Sequence, residues 1–120
     1  MKILVTHSSN FDFEEKLYKP IKNSRLYQEH EIILPQDGGE RKEITPEIIK
    51  SRGLILSEVS LPSTGQGIEL GQAQIFDVPV ICVHEEGADI SASLDKVADT
   101  YVSYKNFDDM LSKITKELPS

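Results

Sequence analysis

The chain has 120 residues, a formal net charge of -7 and 38% hydrophobic residues, the size and composition of one globular domain, residues 1–120. Its acidic balance argues against sequence-independent nucleic-acid binding and against binding to an anionic membrane, because both require a basic patch. With one cysteine, Cys82, no signal-like amino terminus and no run of membrane-spanning length, we expect a cytoplasmic protein with a reduced thiol.

Short apolar runs alternate with amphipathic segments along the chain, which predicts an α/β domain. The apolar runs predict five strands, at residues 2–6, 30–34, 54–57, 78–84 and 100–104. Helical spacing and cap residues predict helices from residue 13 with an interruption at Pro20, from the N-cap Thr45 to about residue 52, at 68–76, at 90–97, and after the N-cap Asn106. Residues 118–120 should fray.

Strands that alternate with helices form parallel sheets that are covered on both faces. We therefore predict a flavodoxin-like three-layer sandwich whose five parallel strands have the order 2-1-3-4-5. In such a sheet a ligand binds at the carboxyl ends of the strands, where the first and third strands separate. The loops at residues 7–10 and 58–67 are expected to face each other across that crevice.

A polar loop leads from the third strand into the helix at residues 68–76. Ser63 is a suitable N-cap, and Gln66 lies at capping-box spacing from it. Gly65 and Gly67 permit unusual backbone angles and the close approach of a ligand, and the free N–H groups of a helix start attract an anion. The loop therefore predicts either a phosphate-binding cradle or simply a tight, well-capped turn.

Two carboxylates accompany this loop. Glu69 shares a helix face with Ala73 and Phe76, so we expect its side chain to be partly buried. The alternative is an acid that is stabilised by the helix dipole in the first turn, but this would not explain its position beside the apolar stripe. Glu58 follows the third strand and either contacts a ligand or accepts N–H bonds from its own loop. Paired carboxylates suit reactions at a sugar carbon, where an anion stabilises or traps an oxocarbenium-like state.

Residues 57–73, Ser-Glu-Val-Ser-Leu-Pro-Ser-Thr-Gly-Gln-Gly-Ile-Glu-Leu-Gly-Gln-Ala, resemble the signature of the nucleoside 2-deoxyribosyltransferase family. They match densely the pattern of its 2'-deoxynucleoside 5'-phosphate N-hydrolase branch, Ala-Glu-Val-Thr-x-Pro-Ser-x-Gly-x-Gly-Tyr-Glu-Leu-Gly. The resemblance implies a flavodoxin-like fold, a homodimer, and attack by a glutamate on the sugar C1' with release of the base. It places Glu69 at the nucleophile and Ser63 at a phosphate-binding serine.

The resemblance extends to two further loops. Ser8 matches a phosphate-contacting serine after the first strand, and Asn10 replaces the arginine of the branch. Ser91 matches a serine that reaches the phosphate bound by the neighbouring subunit. Because asparagine cannot form the charge-assisted bidentate bonds of arginine, phosphate affinity should be weaker or the ligand different.

Four positions bear on how the nucleophile would be supported. Thr45 stands where the branch has an aspartate that positions or protonates the nucleoside; it keeps the N-cap but supplies no proton at neutral pH. Glu47 is either a substitute for that acid or an ordinary first-turn acid. Leu4 replaces a tyrosine near the nucleophile, and His7 is either an acid or base contact or a strand-end residue.

These patterns predict an enzyme that cleaves or transfers the N-glycosidic bond of a (deoxy)nucleoside 5'-monophosphate or a related nucleoside, with hydrolysis favoured. The alternative is a nucleotide-binding module without turnover on the same fold, motivated by Leu4, Asn10 and Thr45. The Pro-Gly-Gly-x-Gly-Thr loop of cytokinin-activating phosphoribohydrolases fits residues 62–67 less well. Metal-ligand spacing, a Walker P-loop and a dinucleotide motif are absent from the sequence, so we predict no metal and no cofactor, and a small nucleotide or nucleoside as partner.

Overall fold

The computed structural model describes residues 1–118, so the fraying predicted for residues 119 and 120 lies outside the described part. Five strands form one parallel sheet in the order β2-β1-β3-β4-β5, which confirms the predicted topology. The strands are β1 Lys2–His7, β2 Glu31–Ile33, β3 Leu54–Glu58, β4 Val80–Glu85 and β5 Thr100–Tyr104. The three central strands β1, β3 and β4 are buried along most of their length, as expected of strands covered on both faces, whereas the edge strands β2 and β5 are partly exposed.

Five α-helices connect or follow the strands. They are α1 Lys19–Lys22, α2 Arg25–Glu29, α3 Pro46–Lys50, α4 Thr64–Ile75 and α5 Phe107–Glu117. A π-helical segment, Glu14–Tyr18, runs directly into α1. The predicted interruption at Pro20 takes this form because proline lacks an amide hydrogen and crowds the carbonyl four residues before it. The segment predicted as a helix at residues 90–97 is a short 3-10 turn, Ala92–Lys96.

Three of the four predicted N-caps are confirmed by side-chain contacts, whereas the prediction of Asp12 as N-cap is wrong, because the first helical segment has Phe13 at that position and no side-chain cap. The N–H groups of Ile48, Gln66 and Asp109 donate to Thr45 Oγ1 at 3.3 Å, Ser63 Oγ at 3.4 Å and Asn106 Oδ1 at 2.9 Å, respectively. Each bond satisfies one of the amides that a helix start leaves unpaired.

The start of α4 differs from the prediction. It begins at Thr64, so Gly65 and Gly67 lie in its first turn rather than in a loop. Neither glycine is among the positive-φ residues of the described chain, so the expectation of unusual backbone angles there is wrong. Their lack of a side chain still leaves space, because a Cβ at Gly67 would meet nothing within 4 Å.

Side chains alternate across the sheet and build one hydrophobic core on each face. On the first face α1, α2 and α5 cover a core that includes Ile3, Val5, Ile21, Leu26, Leu54, Leu56, Ile81, Val83, Val102, Tyr104, Met110 and Ile114. On the second face α3 and α4 cover a core that includes Leu4, Ile49, Ile55, Leu70, Ala73, Val80 and Cys82. Within residues 1–118, no helix combines the length and apolar character needed to cross a bilayer.

Candidate active site

The first turn of α4 is fixed to the ends of β1 and β3 by the side chain of Gln66. Its Nε2 donates to Ser57 Oγ at 2.7 Å, to the Glu58 carbonyl oxygen at 2.9 Å and to Thr6 Oγ1 at 3.3 Å. The two hydroxyls are themselves 2.7 Å apart. Gln66 is only 5% exposed, so this network positions the helix start where the two central strands separate.

Sequence reasoning treated Gln66 only as a capping-box partner of Ser63. Only one of the two bonds of a capping box forms. The backbone N–H of Gln66 donates to Ser63 Oγ, but the side chain of Gln66 bonds the strand ends instead of the backbone N–H of Ser63. The sequence spacing could have revealed that the Gln66 side chain is buried. Gln66 lies on the same helix face as Leu70 and Ala73, and all three are buried. A polar side chain on a buried stripe requires internal partners.

Glu69 lies one helical turn after Gln66 and lines a cavity of about 380 Å³. The lining residues are Thr6, His7, Pro35, Gln36, Arg41, Lys42, Glu43, Ile44 and Glu69. Glu69 is partly buried, and within residues 1–118 its carboxylate accepts no hydrogen bond. Burial raises the pKa of Glu69, and the positive charge of Arg41 opposes that rise. A partly desolvated carboxylate without a fixed partner in a cavity is a candidate for chemistry.

The structure places Glu58 apart from Glu69. Successive strand residues point to opposite faces, so Ser57 points toward α4 and Glu58 points away. The Glu58 carboxylate is 1% exposed and accepts from Ser60 N–H at 2.6 Å, from Ser60 Oγ at 3.0 Å and from the hydroxyl of Tyr104. Burial raises the pKa of Glu58, while the bonds from Tyr104 and Ser60 lower it. These contacts favour the loop-ordering interpretation of Glu58 over direct contact with a ligand.

His7 lines the cavity, but both of its ring nitrogens are occupied. Nδ1 lies 2.9 Å from the Ser8 carbonyl oxygen, which can only accept, so Nδ1 carries the proton. Nε2 then accepts from the Tyr18 hydroxyl at 2.7 Å, and that hydroxyl accepts from Gln36 N–H at 3.0 Å. Burial lowers the pKa of His7, and Arg41 adds to the lowering. A neutral ring with both nitrogens engaged favours the structural role for His7.

The loop after β1 forms a short turn beside the cavity. The Ser8 hydroxyl is buried and accepts from Asn10 N–H at 3.1 Å. The side chain of Asn10 is exposed. Gln36 Nε2 donates to Ser9 Oγ at 2.9 Å, which joins this turn to the loop that follows β2.

Ser63, Gly67 and Ser91 share a second cavity, also of about 380 Å³, between the start of α4 and residues 89–97. Ser91 Oγ accepts from Ser93 N–H at 3.3 Å and caps the 3-10 turn. In the single chain, therefore, Ser63, Gly67 and Ser91 lie in a different cavity from Glu69.

The other residues that were considered as supports of the nucleophile, Leu4, Thr45 and Glu47, have structural positions of their own. Leu4 is fully buried in the core between the sheet and α4. The Thr45 hydroxyl caps α3. Glu47 is exposed in the first turn of α3 and is not among the residues that line the Glu69 cavity, as expected of an ordinary first-turn acid.

Three charged residues that sequence reasoning missed line the same cavity as Glu69, and Lys42 is one of them; the other two bear on the chemistry. They are Arg41 and Glu43, in the loop between β2 and α3. A Cβ at Gly65 would lie 3.7 Å from Arg41 Nη2, so the guanidinium lies beside the start of α4. The loop is irregular and has no hydrophobic period, so the sequence carried no signal that these side chains reach the site.

The comparison with known sequences gives one relative. No protein-family model matches the chain. Over 62 residues the chain is 27% identical to a protein of Methanosarcina mazei that is named as a 2'-deoxynucleoside 5'-phosphate N-hydrolase. The match covers 52% of this chain and 38% of that protein, so it spans well under half of the relative. The name is that of the branch which residues 57–73 resemble, and it confirms the resemblance.

Two solved structures share the architecture. A CMP N-glycosidase of Clostridium botulinum superposes with a TM-score of 0.67 at 18% identity, over 96% of this chain and 99% of that one. The signal receiver domain of a Luxo repressor protein from Vibrio parahaemolyticus gives a TM-score of 0.56 at 17% identity, over 96% and 87%. At such identities the likeness concerns the fold, and it confirms the flavodoxin-like sandwich.

Proposed function

We propose that the protein hydrolyses the N-glycosidic bond of a (deoxy)nucleoside 5'-monophosphate or a related nucleoside, with Glu69 as the nucleophile. One observation carries the proposal: a partly buried carboxylate without a fixed partner lines a cavity at the carboxyl edge of β1 and β3. That edge is where ligands bind in doubly wound sheets. The names of the sequence relative and of the botulinum structure support nucleotide N-glycosidic chemistry.

In this mechanism the Glu69 carboxylate attacks C1' as the bond from C1' to the base nitrogen breaks. The transition state has oxocarbenium character, which the negative charge of Glu69 stabilises. The bonding electrons leave with the base, and a proton must reach the base nitrogen. Water then attacks C1' and displaces Glu69, while a proton passes from the water to the group that had protonated the base. This step releases the sugar 5'-phosphate and restores the free carboxylate.

Glu43 is the candidate for the acid that protonates the leaving base. It is the second carboxylate that lines the Glu69 cavity, and a nucleophile with a separate acid is the usual division of labour in glycoside cleavage. Glu43 precedes the Thr45 cap by two residues. We therefore assign to Glu43 the acid role for which the sequence suggested Glu47 as one interpretation.

The 5'-phosphate is proposed to bind at the start of α4. Ser8, Asn10 and Ser63 contribute polar groups, and Gly65 and Gly67 leave the backbone open to close approach. Glu58 acts indirectly, because its bonds to Ser60 shape the turn that leads to this helix.

A homodimer is proposed, with Ser91 of one protomer reaching the phosphate site of the other. The support is an exposed stripe on α4, where Ile68 is 59% and Ile75 is 77% exposed seven residues apart. Leu61, three residues before α4, is also exposed. Apolar side chains exposed along one helix face suit burial against a second copy. We expect the dimer to act in the cytoplasm, where the buried thiol of Cys82 stays reduced.

The function is tested by incubation with a panel of ribo- and deoxyribonucleoside 5'-monophosphates, with CMP first, and chromatography for the free base. We expect base release by the native protein and loss of at least about 1,000-fold in Glu69→Gln. Glu43→Gln should slow release by about 100-fold or more, and less for a base that needs no protonation to leave. Failure of every nucleotide to yield base at high protein concentration would refute the proposal.

The shared site is tested by mixing the variants Glu69→Gln and Ser91→Ala. In a dimer of Glu69→Gln with Ser91→Ala, one site has its own Glu69 and the partner's intact serine. Activity of the mixture above the mean of the two variants supports the exchange. Activity that is only the mean of the two, or sedimentation as a monomer at the assay concentration, contradicts it.

The alternative is a nucleotide-binding module without turnover. Two observations favour it: the Thr45 hydroxyl caps α3, and Leu4 is an apolar side chain buried in the core. Neither side chain supplies a proton or a charge to a reaction at the cavity. Nucleotides that raise the melting temperature without base release would support this alternative.

A further inference from the structure

Two cations, Arg41 and Lys42, line the cavity into which the proposed substrate would enter. The Glu69 cavity contains two carboxylates, Glu69 and Glu43, in a chain of net charge -7. A phosphate monoester entering such a cavity is repelled unless a positive charge offsets the carboxylates. The hydroxyls of Ser8 and Ser63 supply hydrogen bonds but no charge.

Arg41 supplies that charge beside the start of α4. Its Nη2 would lie 3.7 Å from a Cβ at Gly65, and the same residue lines the cavity with Glu69. Five ion pairs form within the described chain, and Arg41 takes part in none of them. Its planar guanidinium matches two phosphate oxygens, which the point charge of a lysine does not.

The loop that carries Arg41 is held in place by several bonds. Lys42 N–H donates to the Pro35 carbonyl oxygen at 2.6 Å. Gln36 is fixed by Tyr18, through its N–H, and by Ser9, through its side chain. Both ends of the segment that leads to Arg41 are therefore anchored, one of them to the turn after β1.

We propose that Arg41 binds the 5'-phosphate of the substrate, so that this loop makes the site selective for nucleoside monophosphates over nucleosides. The assignment rests on the proposed function for the identity of the anion. It also explains how the site could bind phosphate with Asn10 in the turn after β1 in place of an arginine, because Arg41 in the loop after β2 supplies a guanidinium instead.

The test compares CMP with cytidine, and then the other monophosphate and nucleoside pairs of the panel, at one fixed pH for every variant. Dissociation constants come from calorimetry and KM values from base release. We expect Arg41→Ala to weaken monophosphate binding by roughly 10- to 100-fold and nucleoside binding by less than about 2-fold. Arg41→Lys should fall between Arg41→Ala and the native protein.

Two control variants separate a specific contact from general charge. Arg25→Ala removes a remote surface arginine that pairs with Glu29, and it should change neither affinity. Lys42→Ala removes the neighbouring cation of the same cavity and should have a smaller effect than Arg41→Ala. An equal loss from Lys42→Ala, or an equal loss for nucleotide and nucleoside from Arg41→Ala, would overturn the assignment.

The same measurements distinguish this inference from the proposed hydrolysis. Arg41-dependent binding of monophosphates without base release would refute hydrolysis and leave the Arg41 assignment standing. Base release with unchanged monophosphate affinity in Arg41→Ala would support hydrolysis and refute the Arg41 assignment. If no monophosphate of the panel binds, both are wrong.

Discussion

Gln66 Nε2 donates to Ser57 Oγ over 2.7 Å, and this bond joins the helix that carries Glu69 to the end of the central strand β3. Glu69 follows Gln66 by three residues, so the two side chains lie on neighbouring parts of one helix face. The position of the proposed nucleophile relative to the sheet therefore depends on a buried amide.

Replacement of Gln66 by Ala should impair both stability and turnover. The hydroxyls of Thr6 and Ser57 lose a donor in a buried site, which we expect to lower the free energy of unfolding by about 1–3 kcal/mol. The rate should fall by about 10-fold or more, because small displacements of a nucleophile are costly. Gln74→Ala, on the exposed side of the same helix, is the control and should change stability by less than about 0.5 kcal/mol. Equal behaviour of the two variants in urea titrations would contradict the anchoring role.

The pH dependence of the reaction should reveal the environment of Glu69. Only the ionised carboxylate attacks, and burial raises its pKa above the ordinary glutamate value of 4.5. The rate should therefore fall, as the pH is lowered, at a higher pH than for an exposed glutamate. Because Arg41 lowers this pKa, Arg41→Ala should move the acid limb of kcat/KM to still higher pH. A limb that stays in place would show that Arg41 does not influence Glu69.

The same pKa shift has a consequence for stability. A group whose pKa is raised by folding destabilises the fold when it is ionised, and the effect disappears once the pH is below its value in the unfolded chain. Glu69→Gln should therefore be inactive and yet more stable than the native protein at neutral pH, with the difference lost below about pH 4. Thermal unfolding across this range tests the sign, and a less stable variant at neutral pH would contradict it.

The bond from Tyr104 to Glu58 should contribute to stability. Tyr104→Phe leaves the buried carboxylate with Ser60 alone, and we expect a loss of about 1.5–3 kcal/mol in the free energy of unfolding. Tyr101→Phe is a matched control on the same strand, because the Tyr101 hydroxyl bonds Asp95 at the surface. Its effect should stay within about 0.5 kcal/mol. A similar result for both tyrosines in denaturant titrations would mean that the Glu58 network is unimportant.

The Tyr18 hydroxyl should control the loop that carries Arg41. Tyr18→Phe leaves His7 Nε2 and Gln36 N–H without their partner, which should lower stability by about 1–3 kcal/mol. It should also raise KM for a monophosphate, since the loop loses an anchor. Tyr27→Phe changes an exposed tyrosine and should alter neither quantity. An unchanged KM in Tyr18→Phe would show that the loop is held in other ways.

The strand order could be predicted because each strand and helix is marked by a pattern within its own short stretch of sequence. Each strand is a short apolar run, and the alternation of strands with helices leaves few topologies open. The start of α4 was predicted four residues late because Gly65 and Gly67 disfavour helix, whereas the tertiary bonds of Gln66 override that propensity. The orientation of Glu58 could have been predicted from strand alternation, since Leu54, Leu56 and Glu58 share one face.

Arg41 and Glu43 could not be predicted to lie at the site. They belong to an irregular loop whose path depends on contacts with residues far away in the sequence, among them the bond from Gln36 to Tyr18. Neither propensity nor periodicity encodes such a path. The partial burial of Glu69, by contrast, could be inferred from its position beside an apolar helix stripe, and its role as nucleophile is implied by the family resemblance of residues 57–73.

Attack by Glu69 on C1' is tested most directly by mass spectrometry of peptides from protein that is quenched in acid during turnover. The substrate is the monophosphate that releases its base fastest. We expect one sugar 5'-phosphate to be attached to the peptide that contains Glu69, and no adduct in Glu69→Gln. An adduct on the peptide that contains Glu43, or base release by Glu69→Gln at the native rate, would contradict the account.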